Sequence, residues 1–173
     1  MAANFPPEVT ELGDAARYVD HIFAILERIQ LFEDFDRDEI VVLARYLRCY
    51  LAPAGTAIIR EDEEGDFMVL IVSGQLEIVK RDASGIPKRI GVAGPGKTLG
   101  EMSMVDGEPR FATCIALEDT VFAVLDRDHL SRIIADQPQL GIKLLMELVL
   151  LLSQRLRVTT AKLVKHLDAE PEN

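Results

Sequence analysis

Between Tyr50 and Asp126 the chain divides its apolar residues into short runs: TAIIR, FMVLIVSG, QLEIVK, PKRIGVA, FATCIALE and TVFAVLD. Turn residues stand between them, namely Pro53, Gly55, Gly65, Gly74, Gly85, Gly91, Gly94 and Gly96. Turn signals at roughly 8–12 residue intervals suit an all-β sandwich or barrel and do not suit βαβ units. Gly74, set between two apolar runs, fits a tight bend.

Helical periodicity brackets this zone. From Ala15 to Leu31 the residues Tyr18, Ile22, Ile25, Leu26 and Ile29 recur three or four apart, which predicts an amphipathic helix. A second helix starts at Asp36, an N-cap type followed by acids, and carries Ile40, Leu43, Ala44 and Leu47 to about Arg48. Downstream, helices are predicted from Asp126 to about Asp136 and from about Pro138 to His166. The fold class is therefore mainly β with flanking α. The expected architecture is an antiparallel β-roll with N-terminal helices and a long C-terminal helix. The predicted order is a flexible N-terminus (1–14), N-terminal helices (15–48), the roll (49–126), C-terminal helices (127–167) and a flexible tail (168–173). No repeat or second domain is visible, and 173 residues suffice to bury about 70% of the unfolded surface.

Composition narrows the function. With 29 acids against 19 bases the net charge is -10, which argues against nucleic acid and against an anionic membrane surface, both of which bind through Lys and Arg. The longest apolar run, Leu144 to Leu152, is interrupted by Glu147 and falls short of the roughly 20 residues that span a bilayer. No basic cap precedes an apolar stretch at the N-terminus, so a cytoplasmic protein is expected. Cys49 and Cys114 lie in apolar-patterned segments and read as small buried side chains. His21, His129 and His166 are scattered, so no metal ligand set and no catalytic cofactor is expected, which disfavours a cupin-type enzyme. Two cysteines are too few for the usual four-thiolate iron–sulfur site.

One stretch breaks the strand pattern. LGEMSMVDGEPRFATCIA, residues 99–116, starts with Gly-Glu, runs through small and apolar residues, and opens into an Asp-Gly-Glu-Pro-Arg loop before the next apolar run. It resembles the phosphate-binding cassette of the cyclic-nucleotide-binding domain family, found in bacterial catabolite activators and in regulatory subunits of cAMP-dependent protein kinase. The likeness extends over about residues 36–167. It implies that the roll is jelly-roll-like (a double-stranded β-helix) and that the protein is a non-enzymatic regulator with 3′,5′-cAMP as the ligand, cGMP or cyclic di-GMP being the alternatives. A turn of helix at Glu101–Met104 would offer backbone N–H groups to a cyclic phosphate, with Gly100 permitting close approach. Met102, Ser103 and Ala112 would contribute mainly backbone. Arg110, expected as a loop cation outside the core, would meet the anion with its planar fork. Glu101 would accept from the ribose 2′-hydroxyl. Phe111 departs from relatives that carry Ser or Thr there; its backbone can still contribute, and loss of the hydroxyl tilts the base preference toward adenine.

The C-terminal helix carries Ile142, Leu145, Val149, Leu152, Leu156, Thr159, Leu163 and His166 at alternating steps of three and four. Further apolar residues flank this seam, so one stripe can face the roll and another a second copy, predicting a homodimer through residues 139–167. Within it RLRVTTAKL, residues 155–163, resembles the dimer helix of the family's activators, which implies that Arg155, Thr159 and Thr160 approach the base. No DNA-binding module follows in this sequence, so output is expected to pass to a separate, unidentified protein. The alternative is a dimerising interaction module of the same fold with another ligand or none.

Overall fold

A computed structural model of the chain describes residues 5–18, Asp20, Ile22 and residues 35–167. In chain order its elements are β1 (Thr10–Asp14), a 3-10 turn (Ala15–Tyr18), α1 (Arg37–Ala44), β2 (Arg48–Ala52), β3 (Ala57–Ile59), β4 (Phe67–Ser73), β5 (Leu76–Arg81), β6 (Pro87–Ala93), β7 (Thr98–Leu99), α2 (Glu101–Asp106), β8 (Thr113–Ala116), β9 (Thr120–Asp126), α3 (Arg127–Asp136) and α4 (Pro138–Leu167). Two antiparallel sheets form the roll, one in the order β1-β2-β9-β4-β7 and the other β3-β8-β5-β6.

Strand β4 shows how the layers arise. Its side chains alternate between two cores: Met68, Leu70 and Val72 join the helical cluster of Ile40, Leu43, Leu130 and Leu144, while Phe67, Val69 and Ile71 join Ile59, Leu76 and Phe122. A strand covered on both faces needs apolar residues at every position, which explains the unbroken run FMVLIV. Each fully buried side chain contributes about 1.5–3 kcal/mol. The five-stranded sheet is thus the middle layer, with helices outside one face and the four-stranded sheet outside the other.

Helix α1 starts as expected. Asp36 accepts from the Glu39 backbone N–H at 2.9 Å, and Glu39 accepts from the Asp36 N–H at 2.9 Å, a reciprocal capping box. Its end differs from the expectation of helix to Arg48: residues 48–52 are strand β2, paired with β1 on one side and β9 on the other. Pairing on both edges outweighs the local 3.6-residue pattern. The N-terminal arm also differs from the flexible segment expected over 1–14. Thr10–Asp14 form an edge strand, and the Phe5 ring packs 4.9 Å from Tyr50 and 5.4 Å from Phe122. The helix expected between Ala15 and Leu31 lies largely outside the described residues, as does the tail 168–173.

At the other end, Asp126 caps α3 by accepting from the His129 backbone N–H at 2.7 Å. Helix α4 buries Leu140, Leu144, Leu148 and Leu151 against the roll and leaves Ile142, Leu145, Val149, Leu156 and Leu163 between 38% and 68% exposed. These are the two stripes expected from the heptad spacing. Among the described residues, no helix is long and apolar enough to cross a membrane.

Candidate functional site

A cavity of about 520 Å³ opens between the four-stranded sheet, α2 and the second half of α4. The sheet supplies an apolar wall of Ile59, Ile78, Ile90, Val92 and Cys114; the segment ending in α2 supplies Gly100, Glu101, Met102 and Ser103; the following loop supplies Arg110, Phe111 and Ala112. Helix α4 closes it with Gln154, Arg155, Val158, Thr159 and Lys162.

Two buried charges define the polar end. Arg110 lies on the loop as expected, but it is 3% exposed and so sits within the core, not outside it as expected. Its Nη1 donates to the carbonyls of Phe67 at 2.7 Å and Gly100 at 3.0 Å, and its guanidinium lies 4.2 Å from the Phe67 ring centroid. Its backbone is pinned too: Arg110 N donates to Glu63 O, and Asp62 N donates to Arg110 O, both at 2.9 Å. Such close packing needs glycine nearby. A Cβ on Gly65 would lie 2.3 Å from Arg110 Nε, and one on Gly100, whose φ is +83°, would lie 2.7 Å from Nη1. Burial lowers the Arg110 pKa, opposed by Cys114, Asp66 and Glu101, yet an arginine stays protonated. Nη2 is buried and has no hydrogen-bond partner.

Glu101, 2% exposed, is the opposite charge. Its Oε1 accepts a hydrogen bond from Arg155 Nη1 on α4. Arg155 Nη2 also donates to Thr98 O at 2.6 Å and Thr98 Oγ1 at 3.1 Å. The other oxygen, Oε2, is buried without a partner. Arg110 and Glu101 both line the cavity, and each carries one buried, unsatisfied atom, a donor on the first and an acceptor on the second; leaving either so costs about 1–3 kcal/mol or more for charged groups. Helix α2 also begins without a side-chain cap. Its other end is held by Arg127 at the start of α3, which donates from Nε to Met104 O at 2.9 Å and from Nη2 to Ser103 O at 3.1 Å.

Of the residues expected at the site, Gly100, Glu101, Met102, Ser103, Arg110, Phe111, Ala112, Arg155 and Thr159 line this cavity. Thr160 is exposed and is not among its lining residues; it follows Thr159 directly, and 100° of helical rotation turns it away. Sequence reasoning missed Lys97, Thr98, Gln154, Val158 and Lys162. Val158 and Lys162 were findable, since residues three and seven positions from Arg155 share its face; Gln154, adjacent to Arg155, lies four positions before Val158 and joins the face through it. Among the described residues no group of three or more His, Cys, Asp or Glu side chains is placed to hold a metal ion.

A family model described as the cyclic nucleotide-binding domain matches residues 51–137. The crystal structure of a cyclic nucleotide-binding domain from Methylobacillus flagellatus KT is similar, at 38% identity and TM-score 0.84, over 92% of this chain and 90% of that one. The CRP-like cAMP-activated global transcriptional regulator of Mycobacterium tuberculosis is 31% identical over 139 residues, covering 80% of this chain and 60% of the regulator. Thermus thermophilus catabolite activator protein is 28% identical with TM-score 0.71, covering 78% of this chain and 61% of that one. The chain thus spans less than two thirds of the length of the two full-length regulators.

Proposed function

From the premise that this chain belongs to the cyclic nucleotide-binding domain family, we propose that its cavity binds 3′,5′-cAMP and that binding is relayed through α4 to a separate protein partner. The observation that carries the reading is the pair of buried, unsatisfied atoms, Arg110 Nη2 and Glu101 Oε2. A cyclic phosphodiester supplies an acceptor anion to the first, and the adjacent 2′-hydroxyl supplies a donor to the second. The apolar wall of Ile78, Ile90 and Val92 suits the base, and Phe111, lacking a hydroxyl, favours adenine over guanine.

Relay follows from how the site is divided. Arg110 belongs to the roll, whereas Arg155 and Thr159 belong to α4, so a ligand touching both ends favours one placement of the helix. Its leverage equals its differential affinity for the two placements. The exposed stripe of Ile142, Leu145, Val149, Leu156 and Leu163 would pair with that of a second copy, and Thr160 would then face the partner's cavity. Such a homodimer carries no chemistry of its own and acts by presenting α4 to its target.

A melting-temperature screen with cAMP, cGMP, cyclic di-GMP and 5′-AMP tests the ligand, and light scattering at micromolar concentration tests the dimer. Ligand at about 100 times its dissociation constant should add roughly 2.7 kcal/mol, or about 5–11 °C for a domain of this size. A shift with cAMP above all the others supports the reading. Preference for cGMP or cyclic di-GMP overturns the ligand assignment, and no shift with any of them leaves an interaction module of the same fold.

A further inference from the structure

Phe111 presents its side chain, and not only its backbone, to the cavity. Its ring is 57% exposed although it lines the cavity. It does not stand alone at the mouth: Met102, Ile90, Val92 and Val158 line the same cavity and are 41% to 56% exposed. Five apolar side chains around one opening form a surface that gains by being covered.

The ring is also braced. Lys80 Nζ on β5 lies 4.7 Å from its centroid, in a cation–π contact. Lys80 is absent from the cavity lining, so the cation covers the ring from outside the cavity. Lys80 is itself fixed by Glu61, whose Oε1 accepts from Nζ at 2.8 Å. Glu61, with a side chain 7% exposed, is fixed twice more: Oε2 accepts from Arg81 N at 3.0 Å, and its own N–H donates to Thr113 Oγ1 at 3.0 Å. The β5–β8 register, with Val79 opposite Thr113, brings these groups together. A carboxylate, a cation and a ring thus stand in series, ending at the cavity.

Resting on the cyclic-nucleotide reading above, we infer that Phe111 is the wall on which the base of the bound nucleotide packs, with Lys80 and Glu61 as positioning residues that hold the ring. Phe111 directly follows Arg110 and lines the same cavity, which places this wall beside the anion end. An aromatic wall is tolerant of base identity, since every base has a π face, and it favours the larger purine surface over a pyrimidine.

The test titrates cAMP and 3′,5′-cyclic UMP into wild type, Phe111→Leu, Phe111→Tyr, Lys80→Met and the Phe111→Leu, Lys80→Met double variant, and records the base H2 and H8 resonances of bound cAMP by NMR. Phe111→Leu should weaken cAMP roughly 5-fold or more, shrink the preference for cAMP over cyclic UMP, and abolish the upfield ring-current displacement of H2 and H8. Phe111→Tyr should preserve all three. Lys80→Met should weaken cAMP less, and not at all when Phe111 is already Leu. Because the ring is exposed, these variants should melt within a few degrees of wild type. Unchanged cAMP affinity and unchanged H2 and H8 shifts in Phe111→Leu overturn this inference while leaving the cavity's function intact. Failure of wild type to bind either nucleotide overturns both.

Discussion

Removing the Arg110 guanidinium should separate ligand affinity from stability. Arg110→Ala takes partners from the Phe67 and Gly100 carbonyls, and hydrogen bonds to charged groups contribute about 1.5–3 kcal/mol each. It also relieves a buried cation whose Nη2 has no partner, which offsets about 1–3 kcal/mol of that loss. The net destabilisation should be about 2 kcal/mol, lowering the melting temperature by roughly 4–8 °C. The effect on ligand should be larger, at about 2–5 kcal/mol for truncating one partner of a buried charge pair, or roughly 30-fold to several thousand-fold. At a cAMP concentration that adds about 2.7 kcal/mol to wild type, a 30-fold weaker variant gains only about 0.9 kcal/mol. The assay is differential scanning fluorimetry of both proteins with and without cAMP, with urea titration to fix the stability change. A folded variant that keeps the full ligand-induced shift would refute the assignment of Arg110 to the anion. A variant as stable as wild type would refute its role in the core.

Burial pushes the Cys49 and Cys114 thiols up to about 12, leaving a thiolate fraction on the order of 10⁻⁴ at pH 8, so neither should react with iodoacetamide until the protein is unfolded; rapid native labelling would contradict their burial. Arg127→Ala frees the Ser103 and Met104 carbonyls and should cost about 1–2 kcal/mol of stability, with amide exchange rising across residues 101–106; unchanged exchange would show that α2 does not depend on this cap. The Lys80 hydrogen bond, followed by the Arg81 N–H, holds the Glu61 carboxyl below the ordinary carboxylate range. A lowered native pKa gives stability above the unfolded value that is lost as pH falls through the native one, so Glu61→Gln should be less stable than wild type at pH 7 with the difference closing in acid; a gap that persists at pH 2 would assign the loss to something else.

The strands of the roll were legible because each carries its own signal. PKRIGVA is β6 from end to end, and the FMVLIVS of the second run is β4, each followed directly by a glycine. The roll was expected from residue 49, but RCYLA was not singled out as a strand, and its place between β1 and β9 shows only once the sheet is assembled. Strand β7 has two residues and no periodicity to read. At the site, the ordered Gly-Glu and Pro-Arg pairs announced the cassette, but nothing local told that Arg110 is buried. That depends on Gly65, 45 positions earlier in the chain, approaching its guanidinium. The Glu101–Arg155 pair, 54 positions apart, was likewise invisible until the fold joined α2 to α4.

The most direct measurement is calorimetric titration of wild type with cAMP and with its 2′-deoxy analogue. Saturable binding of cAMP at one site per chain is expected, with the 2′-deoxy analogue weaker by roughly 10-fold or more, because Glu101 Oε2 would stay buried without a donor. No detectable binding of cAMP would contradict the assignment of the cavity to cAMP, and equal affinity for the two ligands would contradict the role given to Glu101.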